Sequence, residues 1–166
     1  MSVSRDILRS WRAPRQVVGA ILSRGPREDL AIVFLMIGCG LIFLAQWPRL
    51  IQAAQADPEV PVQAMLGGAL MGWMFIAPLV FYGIAAVIRL AMLALGVRAS
   101  WYAVRLSLFW TVLAVSPLWL LHGAVSFLAG PGAVTAVAGV LALAAFFWIL
   151  AGGLGAAALE ARGRSA

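Results

Sequence analysis

Few side chains in this sequence could do chemistry. There is one histidine, His122, one cysteine, Cys39, and six carboxylates, Asp6, Glu28, Asp29, Asp57, Glu59 and Glu160. A hydrolytic or metal-dependent site needs several such groups to converge. No paired carboxylates, HExxH helix, nucleophile elbow or phosphate-cradling loop occurs. A lone Cys39 can form neither an internal disulfide nor a thiolate cluster, and reads as a small buried side chain in an apolar run. His122 could give one axial ligand to a haem or pigment. With no acid or cysteine near it in sequence, it reads first as a polar anchor on a kinked helix. No catalytic residue, metal or cofactor is expected, and His122 is the one candidate for cofactor binding.

Arginine is the other chemistry on offer. The stretch from position 4, SRDILRSWRAPRQVVGAILSRGPRED, holds Arg5, Arg9, Arg12, Arg15, Arg24 and Arg27, half of the twelve arginines in a chain without lysine. The lysine-free composition reads as the bias of a GC-rich bacterial genome. A net charge of +6 and a pI near 11.3 would ordinarily suggest nucleic acid. That reading requires a basic groove on a soluble fold. This chain is 64% hydrophobic and 11% charged, against about 25% charged in soluble domains, so nucleic acid is set aside.

On a helical wheel Ile7, Leu8, Trp11, Val18, Ile21 and Leu22 share a face, with Arg5, Arg9, Arg12 and Gln16 opposite. Pro14 suits the first turn of a second short helix. An arginine-faced amphipathic segment beside a span is expected to lie at the membrane interface, with Arg5, Arg9, Arg12 and Arg15 on anionic headgroups. Docking of an acidic partner is the rival. The polar region is too long and too acidic for a signal peptide.

The elements that would position these residues follow from the uncharged runs. The expected class is all-α, a polytopic membrane bundle of four transmembrane helices with an N-terminal amphipathic interfacial helix. Residues 1–29 form the interfacial segment, 30–159 the membrane domain and 160–166 a tail. The spans are placed at about 30–47, 62–87, 102–128 and 133–158. The uncharged run 106–159 would be about 80 Å long as one helix, far beyond the ~20 residues a bilayer core needs. It must therefore fold back, and Gly130-Pro131-Gly132 is the hinge. Pro78 and Pro117 are expected to kink spans two and three, with Thr111 and Ser116 bonding helix carbonyls.

Four spans place eleven arginines on one side and only Arg49 on the other. By the positive-inside bias both termini face the cytoplasm, in a bacterial inner membrane. Asp57 and Glu59 fall in the first outer loop. Trp47, Trp101 and Tyr102 suit the aromatic belts. No carboxylate lies at mid-span, which argues against a proton- or sodium-coupled transporter. Small residues would let helices approach closely: Gly68 and Gly72 in span two, Gly152 and Gly155 in span four. Their partners would be helices of the same chain, another membrane protein or a second copy.

Three features occur in order: APRQVVGAILS, the connection LGVRASWYAVRLSL, and FWTVLAVSPLWLL with its central proline. Together with QWPRL and DPEVP, they resemble the bacterial branch of the Yip family, small polytopic membrane proteins whose eukaryotic members bind Rab-type GTPases. The resemblance covers about residues 10–153. It implies a helical membrane domain with a cytoplasmic N-terminus and no catalytic residues. Eukaryotic members are drawn with five spans where four are counted here, and the GTPase role does not transfer to a bacterium. The preferred function is a non-enzymatic membrane-organising or accessory subunit of a larger membrane complex. The alternatives are a passive transporter or lipid-handling protein with a cavity at the proline kinks, and an accessory of a photosynthetic or respiratory complex.

Overall fold

The computed structural model describes residues 3–56 and 60–163. Asp57, Glu59 and Arg164, assigned above to loop and tail, lie outside the described residues. Seven α-helices and one π turn form among them: α1 (Val3–Ser10), α2 (Pro14–Leu22), α3 (Glu28–Ala56), α4 (Val62–Met71), the π turn (Gly72–Ile76), α5 (Ala77–Ala94), α6 (Trp101–Ala129) and α7 (Ala133–Gly163). Four helical stretches are long and apolar enough to cross a membrane: Glu28–Gln55, Val62–Ala94, Trp101–Ala129 and Ala133–Gly163. The protein is an all-α, multi-pass membrane bundle.

Every span is longer than expected. α3 continues through Pro48 to Ala56, because LIQAAQA is rich in good helix formers and one lost amide bond does not end a long helix. α5 carries Arg89 inside it, the guanidinium lying over the Trp101 ring at 5.5 Å. A long arginine stem can follow an apolar surface while its head seeks a polar partner, so a charge does not mark where a helix stops. α6 begins at Trp101, where the Ser100 hydroxyl accepts from the Ala103 amide at 3.0 Å. That cap shortens the expected polar connection to residues 95–100. The Gly130-Pro131-Gly132 hinge separates α6 from α7 as expected, with Gly130 at φ 69°.

Helix α6 is the axis of the bundle. It runs parallel to α3: Gly38 faces Leu113, and Gly123 sits on the Ala45 carbonyl. It runs antiparallel to α7, where Gly153 meets Ser107 and Gly139 meets His122. Span two also runs antiparallel to α6, with Tyr82 edge-on to Phe109 at 4.9 Å. At the arginine-rich end an Arg105–Glu28 ion pair ties α6 to α3, and Arg105 also lies over Tyr82 at 5.8 Å. Apart from half-buried Arg105, α6 is buried from Tyr102 to Ser116 and half-exposed or exposed beyond. The first half is wrapped on all sides; the second is not.

The N-terminal segment closes that wrapping. Val17, Val18, Ile21 and Leu22 of α2 are buried, packed mainly on α7 and also on α6. The α2 part of the face expected to rest on lipid is thus covered by protein, while Leu8 of α1 stays exposed. The indole of Trp110 donates to Ser10 at 2.9 Å, and the indole of Trp11 donates to the Ala114 carbonyl at 3.0 Å. Ala114 lies thirteen residues into α6, about 20 Å along it. The segment therefore reaches the middle of the bundle.

Candidate functional site

A cavity of about 410 Å³ occupies the far end of the bundle, opposite the arginine-rich end. Ile42, Ala45, Gln46 and Arg49 line it from α3, and Val112, Val115, Trp119, His122, Gly123 and Ser126 from α6. Both sets repeat every three or four residues and so form single stripes along their helices. Trp73 and Phe81 close it from span two, and Leu143 and Phe146 from α7.

Pro78 helps to shape the span-two wall. Proline lacks an amide hydrogen, and just ahead of it the Ala77 amide reaches back five residues to the Gly72 carbonyl. The expected kink is taken up as a π turn. Eight residues of regular α-helix would set Phe81 about 80° away from Trp73. The wide turn absorbs most of that offset and brings both rings to the cavity. Span two and α7 make no extensive contact with each other, so no packed helix–helix seam closes the cavity on that side.

The lining is graded. Phe81, Val112, Val115 and Phe146 surround one end; Gln46, Arg49, His122 and Ser126 gather at the other. Because Ala45 lies level with Gly123, these four polar side chains fall within about one turn of depth. His122 stands edge-on to Trp119 at 5.6 Å, and its Nδ1 is buried without a hydrogen-bond partner. Its ring fits because Gly139 has no Cβ, which would sit 3.3 Å from Cε1. Arg49 is exposed at the mouth. No carboxylate lines the cavity, and no cluster of three His, Cys, Asp or Glu side chains occurs among the described residues. The arrangement can hold an anion at one end and an apolar chain at the other. It offers no paired nucleophile and base.

The other residues singled out from the sequence lie elsewhere. Arg5, Arg9, Arg12 and Arg15 are all exposed on the N-terminal segment, outside the cavity, where Arg9 donates to the Gln16 side chain at 3.1 Å. Gly152 is a close-packing position: a Cβ there would come within 2.5 Å of Pro14 Cγ. Gly155 makes only ordinary contact with the Arg15 side chain, and Gly68 and Gly72 meet nothing within 4 Å. Packing within the chain's own bundle thus accounts for Gly152 but not for the span-two pair. The tightest approach, at Gly123, and another at Gly38 were missed, since neither belongs to a small-xxx-small pair that singles it out. No family model, curated protein or solved structure matches the chain, so the likeness to the Yip family rests on its motifs alone.

Proposed function

We propose that the protein is a non-enzymatic lipid-handling membrane protein that holds one amphiphilic molecule in the far-end cavity. The single observation that carries this reading is the graded lining, apolar at depth and polar at the mouth. Ligand sites are typically cavities of about 300–1,000 Å³ with a few placed polar groups, and this one falls within that range. The eleven-to-one arginine bias supports a cytoplasmic location for both termini, in a bacterial inner membrane. Exposed Arg15, beside Gly155 toward the arginine-rich end, would then face anionic headgroups of the inner leaflet, whereas Arg9 and Arg12 flank the Ser10 and Trp11 contacts at mid-bundle.

Native mass spectrometry of protein extracted in mild detergent tests the reading. A bound lipid is expected on the wild type. Leu143→Trp, at a half-exposed position on the unpacked side, should fill the entrance and remove that lipid without lowering thermal stability. A wild type free of lipid would sink the proposal.

A membrane-organising or accessory subunit is the second reading, favoured by the open Gly68–Gly72 face. Replacing both with isoleucine should leave folding intact, because nothing in the chain packs there. The same change should remove a co-purifying protein or a dimer. An unchanged complex would assign that face to lipid.

A further inference from the structure

Resting on the lipid-handling reading, we infer that the occupant is an anionic, phosphate-headed lipid from the far-end leaflet. One acyl chain enters sideways between span two and α7, and the headgroup sits at Arg49.

Three features of the cavity specify this ligand. The first is charge. Among the described residues Arg49 is the one charged group lining the cavity, and none of those lining it is a carboxylate that would receive a cationic head. A guanidinium offers a planar fork of donors suited to phosphate oxygens. Gln46 lies one turn below it on α3, and His122 and Ser126 face them from α6. These are hydrogen-bonding groups for the remaining headgroup oxygens, and the buried Nδ1 of His122 has no partner among the described residues.

The second is depth. From His122 down to Val112 the α6 stripe runs ten residues, about 15 Å. That is half of a ~30 Å hydrocarbon core, the tail length of one leaflet. The third is size and opening. About 410 Å³ is at the lower end for ligand sites, room for one chain rather than a whole two-chain lipid. The unpacked side between span two and α7 leaves the second chain in the membrane.

The four aromatic rings of the lining, Trp73, Phe81, Trp119 and Phe146, pose the competing chemistry, because aromatic faces also attract quaternary ammonium groups. The experiment sets the two against each other. Full-length protein is reconstituted in nanodiscs containing equal phosphatidylglycerol and phosphatidylcholine with identical chains, then released for native mass spectrometry. Wild type should retain phosphatidylglycerol over phosphatidylcholine several-fold: both offer a phosphate to Arg49, but only the choline head brings a second cation beside the guanidinium, a repulsion felt at a partly wet site. Arg49→Gln, at an exposed position, should still carry lipid but lose the preference. Leu143→Trp should carry neither, which separates cavity lipid from lipid on the outer surface.

Equal retention of the two lipids, a preference for phosphatidylcholine, or a preference that survives Arg49→Gln would overturn the inference and leave the lipid-handling reading standing. Retention of inorganic phosphate without lipid would overturn it too. Absence of any Leu143→Trp-sensitive lipid would remove both.

Discussion

Pro117 deprives α6 of one amide donor at the middle of a span, where no water is at hand to replace it. Its absent hydrogen would have bonded Leu113, and the Ser116 hydroxyl donates to that carbonyl instead at 2.8 Å. The neighbouring Ala114 carbonyl receives the Trp11 indole. Thr111 bonds back to Ser107 at 2.7 Å in the same helix. Ser116 and Thr111 were legible as backbone-bonding residues, because short hydroxyl side chains in a helix reach the carbonyl one turn back. Trp11 was legible only as part of an apolar face, since its acceptor lies 103 residues away. Trp11→Phe keeps the ring and removes the donor. It should destabilise the protein by about 1 kcal/mol, the net value of one such bond, read as a lower unfolding midpoint in detergent. Leu8→Ala, at an exposed position, should leave the midpoint unchanged. Equal midpoints for wild type and Trp11→Phe would show that the indole bond contributes nothing.

At the scale of helices, close approach is set by particular glycines and not by the motif that advertises it. Lipid solvates leucine as well as protein does, so spans associate through van der Waals packing where backbones come near. A Cβ on Gly123 would strike the Ala45 backbone carbonyl, which cannot rotate away as a side chain can. Gly123→Ala should therefore push α6 off α3 and cost about 3 kcal/mol or more, beyond the usual penalty for overpacking. Loss of folded yield, together with a lower midpoint in whatever remains, is the measurement. Gly68→Ala should be neutral or slightly stabilising, as alanine exceeds glycine in helices by about 0.5–1 kcal/mol. Equal behaviour of the two variants would refute the assignment of α3–α6 packing to Gly123. Pro78 teaches the same lesson. The sequence marks a disturbed helix there, but only the surroundings of Trp73 and Phe81 decide between a kink and a π turn.

For the whole molecule, four spans of alternating direction bring the start of α3 and the end of α7 to one end of the bundle, with Arg24, Arg27, Arg105 and Arg162. If arginine asymmetry sets the orientation, a cysteine at Gln55 should react with an impermeant reagent from outside intact cells. A cysteine at Ser165 should not. Both are placed in a Cys39→Ala background, although Cys39 itself is buried. Labelling at position 165 from outside would reject four spans with a cytoplasmic C-terminus in favour of a fifth crossing.

Number and order of the spans could be read from composition alone. Burying or exposing twenty uncharged apolar residues is a large, local free-energy difference that hardly depends on the neighbours. The hinge at Gly130-Pro131-Gly132 is equally local, because backbone freedom and a missing amide belong to the residues themselves. Where the helices end was less legible: Pro48 and Arg89 are single costs that a long helix carries. The covering of the α2 face by α7, the open face at Gly68 and Gly72, and the gathering of Gln46, Arg49, His122 and Ser126 at one level were decided by tertiary structure. Each depends on which helix lies beside which, and in what register. In a chain whose spans are apolar nearly all round, no hydrophobic stripe in the sequence encodes that choice.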